Sequence, residues 1–136
     1  MPSDRAKERL VKAQAFRETA ELTLGYVEHL TDPAPITSNA VLAVIAFADA
    51  ITISFKSQVS QDDHAAAVKL LRDCLGNALP DKQEANLRKL LALKTEVQYG
   101  ARRSRADEAG ASIKLMNDFA DWAIEILRDR GVRLDQ

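Results

Sequence analysis

The chain has 136 residues, with 19 Lys and Arg against 20 Asp and Glu, and 46% of it is hydrophobic. That length fits one domain able to bury a core without disulfides or metal, and a formal net charge of -1 gives no global attraction to nucleic acid or anionic lipid. The single Cys74 excludes an internal disulfide and a multi-cysteine zinc site, and the charged start MPSDRAKERL lacks the apolar core of a secretory signal, so a cytoplasmic location is expected.

Five Gly and four Pro in a background of Ala, Leu, Glu, Lys, Arg and Gln make a helix-forming composition. The first helix is expected to start at Ser3, as a cap, and to run to about Leu30. It has two apolar faces. Ala6, Leu10, Ala13, Phe16, Ala20, Leu24 and Val27 follow helical spacing on one side, and Val11, Ala15, Leu22 and Tyr26 form a narrower second stripe. The first can pack into a bundle; the second needs another helix, either the last one of this chain or one from another subunit. TDPAPIT (31–37) then breaks the helix, because its prolines remove donors and push their predecessors out of helical geometry.

Thr37 or Ser38 is expected to cap a second helix that continues to about Gln58. Within it Ala40 to Phe55 is apolar except for Asp49, Thr52 and Ser54, so the helix must have neighbours on most sides. The run is short for a membrane span and carries a carboxylate in its middle, which argues for a bundle core instead. A third helix after Ser60 and Asp63 buries Ala67, Val68, Leu71, Cys74 and Leu75 and stops at Gly76. Pro80 and Asp81 open a fourth, with Glu84 completing a capping box and Leu87, Leu90, Leu91, Leu93 and Val97 on its core face. The charged turn ARRSRADE leads into a last helix with Ala109, Ile113, Met116, Phe119, Ala120, Ala123, Ile126 and Leu127 on one stripe, ended by Gly131. Five helices on short links predict an all-α, up-and-down bundle of four to five antiparallel helices.

Chemistry-bearing groups are few. There is no glycine loop for phosphate, no Glu-x-x-His pair and no His-Glu-x-x-His zinc site, so neither metal nor cofactor is expected. Asp49 and Lys94 each interrupt an apolar arc, and isolated burial of either would cost several kcal/mol, so they are expected to pair. His64 falls in the first turn of the third helix, where the helix dipole opposes its protonation. Arg102, Arg103 and Arg105 in the charged turn are candidates to grip phosphate. The candidate catalytic side chains are therefore His64 and Tyr99, and the candidate ligand-binding ones are Asp49, His64, Lys94, Arg102 and Arg103.

Three segments, SNAVLAVIAFADAI (38–51), QDDHAAAVKLL (61–71) and LLALKTEVQYGARR (90–103), occur in an order that resembles the HEPN superfamily, in particular its stand-alone bacterial members. The resemblance implies a four- or five-helix bundle, frequent dimerisation, and roles in RNA cleavage, toxin and antitoxin pairs or association with small nucleotidyltransferases. Its ribonuclease members carry an Arg followed, after four to six residues, by a His. Counted from Arg102, Arg103 and Arg105 those positions run from Asp107 to Ser112 and include no His; counted back from His64 or His29 they include no Arg. Without that His the usual proton carrier for attack by a ribose hydroxyl is missing. The expectation is a non-catalytic HEPN-like module for binding or assembly, a homodimer with nucleotide, RNA or a partner protein as its further ligand and no membrane association. The alternative is a metal-independent ribonuclease or nucleotide-handling enzyme built on His64, Lys94, Tyr99 and Arg102.

Overall fold

A computed structural model describes residues 2–56, 64–99 and 105–135. Their helices are α1 (Pro2–Leu24), α2 (Ala34–Lys56), α3 (His64–Leu75), α4 (Asp81–Tyr99) and α5 (Ala106–Asp129), with short 3-10 turns at Val27–His29 and Gly76–Ala78. The fold is an all-α bundle, and no strand occurs among the described residues.

α2 packs against all four other helices. From Ala40 to Ile53 every residue is buried except Leu42 and Ile45, which is the burial that a helix apolar nearly all round requires. By length and composition α2 could cross a membrane, but 78% of its most apolar stretch is covered by the bundle. α1 runs antiparallel to α2 across a short link. α5 is antiparallel to α1, with Arg17 reaching Asn117 and Asp121, and parallel to α2, with Thr37 beside Ser112 at one end and Ser54 beside Arg130 at the other. α4 meets α5 through Lys82 and Asp118 and also packs on α2, and α3 packs onto α2 and α4.

The helix starts differ from expectation in two places. α1 is already helical at Pro2, which suits a first-turn proline, and it ends at Leu24 instead of Leu30. α2 begins at Ala34, earlier than Thr37. Asp32 accepts a hydrogen bond from the Ala34 amide at 2.9 Å, and Pro35 sits in the first turn, where a missing donor costs nothing. Thr37 is thereby freed from capping and is buried against α5. Of the three glycines expected to end helices, Gly76 and Gly131 have φ of 54° and 79°, the left-handed region where glycine has no Cβ penalty, and Gly100, expected to end α4, lies outside the described residues.

Candidate functional site

Asp49 is 6% exposed, and Arg9 of α1 lies beside it, with Nη1 3.7 Å from Oδ2. Arg9 can reach because its neighbours on the buried stripe, Ala6 and Ala13, are small and fully covered. Its own head stays 44% exposed, so the pair spans from the bundle surface to the core and ties α1 to α2. Sequence reasoning missed Arg9, although on a helical wheel it falls only about 40° from Ala13 and 20° from Ala20. The expected partner, Lys94, is on α4, but its side chain lies outside the described residues. The same holds for the side chains of His64, at the start of α3, and Tyr99, at the end of α4; Arg102 and Arg103 lie outside entirely.

Other polar ties were also not foreseen. Ser112 is fully buried and donates to the Ala109 carbonyl at 2.7 Å, which leaves Thr37 to donate to Ser112 across 3.3 Å. Gln83 and Asn86 are buried together on α4, 3.1 Å apart. Arg72 donates to Glu84 and to the carbonyls of Gly76 and Leu79, holding the turn between α3 and α4. Glu84 thus serves Arg72. At the far end of the bundle Arg130 donates to the Ser54 carbonyl at 2.7 Å and stacks 3.7 Å over the Phe55 ring, capping α2 from α5. Cys74 is half-buried, and burial pushes its thiol above the ordinary value against the opposing pull of Lys56 and Arg130. It is a packing group with little thiolate character. Among the described residues no three His, Cys, Asp or Glu side chains converge as a metal site would need.

The outer face of α1 is different in kind. Ala6, Leu10, Ala13 and Ala20 are fully buried on one side, whereas Val11 and Leu22 on the other are 50% and 68% exposed and Ala15 is exposed with them; Tyr26, expected on the same stripe, falls beyond the end of α1 at Leu24 and is 63% exposed. Among the described residues nothing covers this stripe: α5 touches α1 along a different side, through Arg17. Beside the stripe is an open concavity of about 550 Å³, whose described lining is Lys7, Glu8, Val11, Lys12 and Ala15. The stripe and its concavity form an apolar surface edged by charge, the composition of a contact surface.

No family model matches the chain. No curated protein is significantly similar to it.

Proposed function

We propose that the chain is a non-catalytic, HEPN-like binding or assembly module of the stand-alone bacterial kind, acting as a cytoplasmic homodimer in a nucleic-acid or nucleotide-related system. The observation that carries this reading is the exposed stripe of Val11, Ala15 and Leu22 on α1, a helix whose opposite face is packed into the core. A second copy supplies a self-complementary cover for such a stripe without another gene product. The absence of an Arg and His at ribonuclease spacing in the sequence supports binding over cleavage.

Purified protein incubated with mixed single-stranded RNA is expected to leave it intact. Turnover that co-purifies with the protein and disappears in His64→Ala would overturn the non-catalytic reading.

A further inference from the structure

We draw no further inference here: the strongest candidate, the outer face of α1 with the concavity along Lys7, Glu8, Val11, Lys12 and Ala15, belongs to the surface already described, and nothing in the structure shows what covers it.

Discussion

Asp49 shows how a carboxylate is kept inside an apolar helix. Its side chain is 9% exposed, and the Arg9 head at 3.7 Å is 44% exposed, so the pair lies between a buried ion pair, whose breakage strands a charge, and a surface pair that contributes little. Arg9→Ala is accordingly expected to lower unfolding stability by about 1 to 2 kcal/mol, with an unchanged denaturant slope in urea. A loss under about half a kcal/mol would show that Arg9 contributes no more than an exposed partner does. The anomaly at Asp49 was legible in the sequence because an acid in an apolar run has few permitted explanations. Its Arg9 partner was not, since a charge at the edge of an alanine stripe looks like solvated surface until the crossing helix is placed.

At the scale of elements, periodicity identified all five helices, and glycine chemistry located two of their ends. The starts were harder to read. Two prolines between 31 and 37 suggested a break, yet Pro35 occupies the first turn of α2, where proline is tolerated and Asp32 supplies the cap. At the start of α5, Arg105 donates to Asp107 through two nitrogens at 3.1 and 2.8 Å, and the Arg105 amide is bonded to Glu108. The Arg105 hydrogen bond holds the Asp107 carboxyl below its ordinary value. A depressed folded value means that Asp107 stabilises the fold above the ordinary carboxylate range, and that this contribution is lost as pH falls through the folded value. Asp107→Asn is therefore expected to lower the thermal midpoint at pH 7, and the difference from wild type to close on acidification. A difference that stays constant with pH would contradict the linkage.

For the molecule as a whole, the sequence could show that α1 has two apolar faces but not which one lacks a neighbour. Either α5 or a second subunit satisfied the pattern, and the packing removes the first: α5 meets α1 through Arg17 and leaves Val11 and Leu22 outside. The assembly account therefore rests on the outer face of α1, and sedimentation at micromolar concentration tests it most directly. Wild-type protein is expected as a species of about 30 kDa, twice the 15.0 kDa chain, and Leu22→Glu as a folded species of 15.0 kDa. A wild-type chain that sediments at 15.0 kDa would contradict the account.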